Sequence, residues 1–358
     1  MKRYTNVAAA ALVALAGVCA GGASAGPPTD PLATVRTMDD LRAAGPTNAA
    51  LVYYRAIIGL PSFNDGEIKA AMIDGDESGM SREAAVKKLE ELQGAINTFC
   101  RAAALEECDF GLDFDQGFEL LLPHLGKMRM AARLIASDAV RLAEAGEADA
   151  AAERLAALYG IARHVSDDGT LISSLVGAAI ASLANQGVER LLAEGKVGEA
   201  GHAALAAAFE RLASDDPFFT RRAIAMEGAI VRVWLADLIA KDGMDRFIGF
   251  ISTGQIEADE VTRLRTLTPA EAAAAVDRSV EYYEHAYGLW DKPDAIDRLA
   301  ALGQVATGGG YGPIGKHICA SVAKAYESDR RVRGETADTF EKVRAYRPAA
   351  DAAVKPAR

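Results

Sequence analysis

Three features of this 358-residue chain predict an all-α fold of stacked antiparallel helical hairpins, either a TPR-like superhelix or an irregular α-α bundle. The first is the stretch LISSLVGAAIASLANQGVERLL at 171–192, which is small or apolar on every face and carries no charge before Glu189. A helix of that kind belongs inside a core or a membrane. Asn185 and Gln186 interrupt it short of the ~20 apolar residues a bilayer span needs, so it reads as a central buried helix. The second feature is an internal duplication. RLAEAGEADAAAERLAALYGIARHVSDDG (141–169) aligns with RLLAEGKVGEAGHAALAAAFERLASDDP (190–217), with a Gly turn at Gly146 and Gly195 and a Ser-Asp-Asp punctuation in each copy. Repeated helix–turn–helix units bury their apolar faces on one another. The third is the absence of alternating β-branched or aromatic runs, the signature of strands.

The elements follow in order. Lys2 and Arg3, an apolar run from Val7 to Ala20 and Ala23-Ser24-Ala25 form a secretory leader over 1–25 with an A-x-A cleavage site. Val18 is too bulky to precede a lipidated Cys19, so soluble export, periplasmic or extracellular, is expected. Residues 26–45 form a flexible lead-in, 46–345 a single helical domain with its core at 116–243 and looser helices over 268–333, and 346–358 a disordered tail. Thr47 or Asn48 caps a first helix that Pro61 stops. Ser81 opens a helix whose Val86, Leu89, Leu92, Ile96 and Phe99 fall three and four apart on one face. Helices are expected over 120–145, kinked near Pro123, then over 148–165, 171–193 and 199–212. Pro217 behind Asp216 starts another. The stretch 241–255 reads as a broken connection, Thr268-Pro269 with Glu271 as the start of a helix through Tyr287, and 294–305 and 314–331 as the last two.

Loss of the leader removes two basic side chains and leaves 37 basic against 50 acidic, a net charge of −13. That balance repels polyanions, so neither nucleic acid nor an anionic lipid surface is an expected partner. No membrane span is expected after cleavage. Cys100 and Cys108 are the candidate disulfide in an oxidising compartment, provided a helix ends between them, because eight residues of one helix separate Cα atoms by ~12 Å. Cys319 would then be a buried free thiol.

Motifs for chemistry are few. GYGPIG at 310–315 fits a dinucleotide fingerprint in letters only, since the segment before it reads as helix where a strand is required. DGDESG at 74–79, with Asp74 and Asp76, starts like a calcium loop but has Ala85 where the bidentate Glu belongs. It reads as an acidic turn. Asp109, Asp113 and Asp115 form a second carboxylate cluster, with helix capping the favoured role. No nucleophile elbow or H-E-x-x-H occurs. The candidate ligand-binding residues are Asp113, His124, Arg129 and His164, because His124 with Arg129 and Arg163 with His164 lie on helices flanking the central one. No metal and no cofactor are expected.

At LLPHLGKMRMAARLIASDAVRLAEAGEADAA and IARHVSDDGTLISSLVGAAI, and again in the CDFGLDF loop and GPIGKHICASVAKAYESDRR, the chain resembles a group of exported helical proteins common in planctomycete genomes. The resemblance covers 46–240 and 310–333. It implies the fold and export, and no activity. The expected function is an exported helical scaffold that binds a protein or peptide partner in the cell envelope. The alternative is a hydrolase or metal-dependent enzyme with its site in the loop between Asp109 and His124.

Overall fold

The computed structural model describes residues 47–60, 81–251 and 256–348. The leader, the lead-in, the acidic turn with Asp74 and Asp76, and residues 349–358 of the tail lie outside the described residues. Every regular element described is helical, apart from one parallel bridge between Asn48 and Glu107.

Helix α1 (Ala49–Gly59) is capped by the Asn48 side chain, which accepts from Ala50 N. The amphipathic stretch after Ser81 is two helices, α2 (Arg82–Glu91) and α3 (Gln93–Ala103), joined at Leu92. A 3-10 turn (Phe114–Glu119) leads to α4 (Pro123–Glu144). Pro123 therefore begins the helix, where its missing N–H costs nothing, and does not kink it. Next come α5 (Ala148–Ser166), α6 (Leu171–Ala193) and α7 (Glu199–Leu212), close to the expected bounds.

Helix α8 (Thr220–Ile230) starts three residues later than Pro217 suggests, because Phe219 adopts a left-handed φ of 51°. Asp216 still caps it, accepting from Arg221 N at 3.1 Å and Arg222 N at 3.3 Å. The helix runs through a π turn (Val231–Leu235) into α9 (Ala236–Asp242). The expected broken connection contains α10 (Met244–Ile251), and α11 (Ala258–Arg265) follows. Thr268 and Glu271 form a full capping box on α12 (Pro269–Leu289). The chain then forms α13 (Ala295–Thr307), α14 (Gly312–Ile318) and α15 (Val322–Ala345), the last well beyond the expected end near 331. Tyr346, expected in the tail, is held by its hydroxyl at Val197 N (3.0 Å).

Two apolar clusters form, one from α1 to α7 and one from α8 to α14, and α15 belongs to both through Val332 and Val343 at one end and Val322 and Tyr326 at the other. The hub of the first cluster is α5, which packs at once on α3, α4, α6 and α7. Its Leu158, Tyr159, Ile161 and Val165 are fully buried. Gly160 allows this approach, since a Cβ there would collide with the carbonyl of Ala103 on α3.

The expected centre, α6, is less enclosed. Among the described residues it is the one helix long and apolar enough to cross a membrane, Asn185 and Gln186 notwithstanding, yet 56% of its most apolar window is buried inside the fold. Ile172, Ala179, Gln186 and Ala193 stay exposed. Seven residues are nearly two turns, so these four form one open stripe.

The two segments aligned by sequence share a turn but not their packing. Gly146 (φ 82°) and Gly195 (φ 69°) occupy equivalent left-handed positions. In the first segment α4 and α5 form a close hairpin. In the second, α7 packs on α5 and α15 lies along α6. Gly198 N donates to Asp149 Oδ1 at 2.6 Å, tying the starts of α5 and α7 together. The arrangement is an irregular α-α bundle.

Candidate functional site

Two gatherings of polar side chains hold the histidines and Arg129 singled out by sequence, apart from the ion-pair networks around Asp138 and Asp329. The first is a closed cluster where the loop 104–113 covers the start of α4 and the end of α5. Asn48 pins this loop, donating to Asp109 O (2.9 Å) and accepting from Asp109 N (2.9 Å). The loop inserts Phe110, which stacks on His124 at 4.3 Å and on Tyr53 at 6.0 Å. His124, 2% exposed, donates from Nε2 to Asp168 Oδ2 at 2.6 Å. Ser173 donates to the same oxygen at 3.1 Å. Burial raises the Asp168 carboxyl pKa, opposed by these two hydrogen bonds.

His164 sits on the far side of Tyr53. Its Nε2 faces the carbonyl of Leu105 (2.9 Å), so that nitrogen carries the proton, and Nδ1 accepts from the Tyr53 hydroxyl (2.9 Å). Burial, with help from the Arg163 charge, lowers its pKa to about 4. The neutral tautomer is thereby locked, and both nitrogens are occupied.

This cluster has the residue types of a hydrolase without the connectivity. A nucleophilic serine needs its hydroxyl on the imidazole, with the carboxylate behind it. Here Asp168 lies between Ser173 and His124. Among the described residues no group of three or more His, Cys, Asp or Glu is placed to hold a metal.

The thiols also remain apart. Helix α3 does end at Ala103, as a Cys100–Cys108 bond requires, but Cys100, Cys108 and Cys319 are all free. Cys100 lies against Arg154, whereas Cys108 lies by the Asp167-Asp168 turn, so the expected disulfide is not formed. Burial pushes Cys100 up to about 11 and Cys108 and Cys319 to about 12.

The second gathering is an open groove between α4 and α6, floored by α5. Its deeper part, about 200 Å³, is lined by Ala136, Ala139, Ala143, Leu155, Leu183 and Leu191, among others. At the outer end Arg82 pairs with Glu144. Leu183 and Gln186 continue into a second hollow of about 310 Å³, where Arg129, Arg133 and Arg331 converge beside Ala132, Ala179 and Ile180. The groove residues on α4 recur at three- and four-residue spacing, one stripe of the helix. Residues 129–144 of α4 thus face 179–194 of α6. That offset of about 50 residues is close to the spacing of the two segments aligned by sequence.

The four residues singled out by sequence therefore divide. His124 and His164 lie in the closed cluster, joined through Phe110 and Tyr53. Arg129 lies in the groove. Asp113 is exposed and caps the 3-10 turn, accepting from Asp115 N at 3.2 Å and Gln116 Nε2 at 3.1 Å, the role favoured for it. The other polar features are structural. Arg232 reaches Glu284 on α12. GYGPIG follows helix α13, so the strand a nucleotide loop needs is not there.

Sequence reasoning missed Asp168 because Ser-Asp-Asp read only as punctuation between helices. Arg133 was findable, four residues after Arg129 on the same helix face. Arg331 was not, since only the packing of α15 on α6 brings it there. Comparison with protein-family models, curated proteins and solved structures gives no match for this chain.

Proposed function

We propose that this protein is an exported helical interaction module whose α4–α6 groove receives a segment of a protein or peptide partner. The observation that carries this reading is the continuity of a slot with an alanine- and leucine-lined part and a cluster of arginines on an otherwise acidic chain. Ligand sites combine an apolar floor with a few convergent polar groups, and the groove has both. In the closed cluster His124 and Ser173 both bond to Asp168, and His164 bonds to Tyr53 and the loop carbonyl of Leu105. No serine hydroxyl lies on an imidazole, the His124 Nδ1 being buried without a partner; this connectivity favours a binding role over hydrolysis. Residues 1–25, with their basic start, apolar run and Ala-x-Ala end, support export.

The test is selection of binders from a random peptide library against the chain starting at Gly26, followed by affinity measurements on plugged variants. Ala143→Trp and Gln186→Trp fill the groove from partly open positions. Selected peptides should weaken by roughly tenfold or more on both, with melting temperature unchanged. Peptides indifferent to both plugs would remove the groove from the function.

A further inference from the structure

We infer that the segment bound by the α4–α6 groove is acidic at one end and carries a single large apolar anchor at the other. This rests on the groove being the docking site, and adds what the partner must look like.

The first ground is charge. Arg129 and Arg133 stand one turn apart on α4, exposed, and neither has an ion pair or hydrogen bond among the described residues. Arg331 joins them from α15, held in place through Glu335, which accepts from Arg331 (2.6 Å) and from Ser182 of α6 (3.0 Å). One carboxylate against three guanidinium groups leaves two cations unmatched. On a chain with a formal charge of −11, a local excess of this kind selects carboxylates and steers them to one spot. Guanidinium forks suit carboxylates particularly well, because two parallel N–H bonds can form at once.

The second ground is shape. Ala136, Ala139, Ala143 and Ala151 with Leu155, Leu183 and Leu191 give the slot its apolar part. The exposed Arg82, Glu144, Arg190 and Glu194 also line it, and about 200 Å³ is left open. A cavity of roughly 150 Å³ holds a benzene-sized group, so the slot accepts one leucine or phenylalanine side chain and not a whole helix. Its charged lining is balanced, two basic side chains (Arg82, paired with Glu144, and Arg190) against two acidic ones (Glu144 and Glu194).

The third ground is spacing. The midpoint of Arg129 and Arg133 lies ten residues along α4 from the midpoint of Ala139 and Ala143, so charge and slot are ~15 Å apart. A helical partner spans that with about ten residues, and an extended one with four or five. The groove thus reads polarity as well as composition: carboxylates at the Arg129 end, anchor at the Ala143 end.

The experiment uses the chain from Gly26 and labelled 16-residue helical peptides, each with two glutamates at one end and one phenylalanine ten residues away. Companions replace glutamate by lysine, phenylalanine by alanine, or shift the anchor by five residues. The acidic peptide should bind best, lose roughly tenfold in each companion, and weaken as salt rises from 50 to 500 mM. Arg129→Glu with Arg133→Glu should reverse the preference in favour of lysine. Equal binding of acidic and basic peptides, still abolished by Gln186→Trp, would overturn the acidic partner and leave the groove standing. Binding unaffected by Gln186→Trp would overturn the groove itself. Binding that emerges only when residues 62–80, with Asp65, Glu67, Asp74, Asp76 and Glu77, are replaced by a Gly/Ser linker would assign the groove to that acidic stretch and end the case for a separate partner. Direct calorimetric binding of decanoate, lost in Gln186→Trp, with no peptide binding at all would overturn the peptide partner in favour of an acyl anion.

Discussion

The closed cluster around His124 and His164 and the open groove at Arg129 hold comparable numbers of polar side chains, and they use them in opposite ways. In the cluster, the imidazoles, the Tyr53 hydroxyl, the Asp168 carboxylate and the Ser173 hydroxyl bond to one another or to the loop carbonyl at Leu105. In the groove, Arg129 and Arg133 point into a hollow with no partner among the described residues. Desolvation explains the contrast. A buried polar group must be satisfied from within or it destabilises the fold, whereas a solvated guanidinium can wait for a ligand at little cost. Residue type alone points to the histidines as the site. His164 has both nitrogens bonded and His124 leaves Nδ1 buried without a partner, whereas Arg129 and Arg133 are both unpaired among the described residues and open to solvent, which points to the arginines.

That contrast can be broken or sharpened by experiment. The largest effect is expected from His124→Ala, which strips the buried Asp168 of its charged or donating partner and opens a hole against Phe110. Removing one member of a buried pair costs about 3–5 kcal/mol, to be read as a drop in unfolding free energy in urea. A loss below 1 kcal/mol would show that the cluster is not structural.

The next effect is on pH dependence. His164 titrates at about 4 in the folded chain against an ordinary 6.5, so between those values the unfolded chain binds the extra proton. Stability from this group is present above pH 6.5 and lost as pH falls toward 4, by about 3 kcal/mol in all. Asp329 has the opposite sign. Burial pushes it up to about 6 from 3.8, so it favours the fold at low pH and loses that contribution as pH rises through the window. The wild-type profile is flattened by this opposition. The informative quantity is the stability gap between wild type and His164→Gln, which should be widest at pH 7 and shrink by about 3 kcal/mol toward pH 4. A gap independent of pH would mean that His164 is not locked neutral.

A third comparison uses the thiols. Cys100 at about 11 and Cys108 and Cys319 at about 12, against 9.0 for an ordinary thiol, carry at least a hundredfold less thiolate at neutral pH. Iodoacetamide should label all three slowly in the native chain and all three at once in urea. Loss of two reactive groups in urea would restore the Cys100–Cys108 bond. The smallest stability effect is expected at the other pole of the comparison. Arg129→Ala with Arg133→Ala should shift the unfolding free energy by no more than about 0.5 kcal/mol, as for exposed groups without partners, while peptide affinity falls. A large loss of stability would give the arginines a structural role.

Much of the architecture was readable in advance because helices declare themselves locally. The Asn48 and Thr268 caps, the Gly146 and Gly195 turns and the bounds of α5, α6 and α7 are set by interactions within a few residues. Errors arose where a distant contact overrode the local signal. Phe219 takes a left-handed φ and delays α8, and α15 runs on to Ala345 because Tyr346 reaches Val197 and Thr339 reaches Glu189. The site was half legible. Arg129 was named, but together with histidines that the loop at Leu105 and Phe110 seals away.

The sequence by itself determined that the chain is helical and where its turns fall, Gly146 and Gly195 among them. Each of these depends on periodicity and on residues a few positions apart. Tertiary structure alone decided that α5 is the hub and α6 a wall. A helix made of small uncharged residues looks the same from every side, and only its neighbours determine which stripe stays open. It likewise decided that Asp168 meets His124 across 44 residues, whereas Arg331 completes a basic end with Arg129 and Arg133. Such pairings depend on how helices cross, which no local pattern encodes.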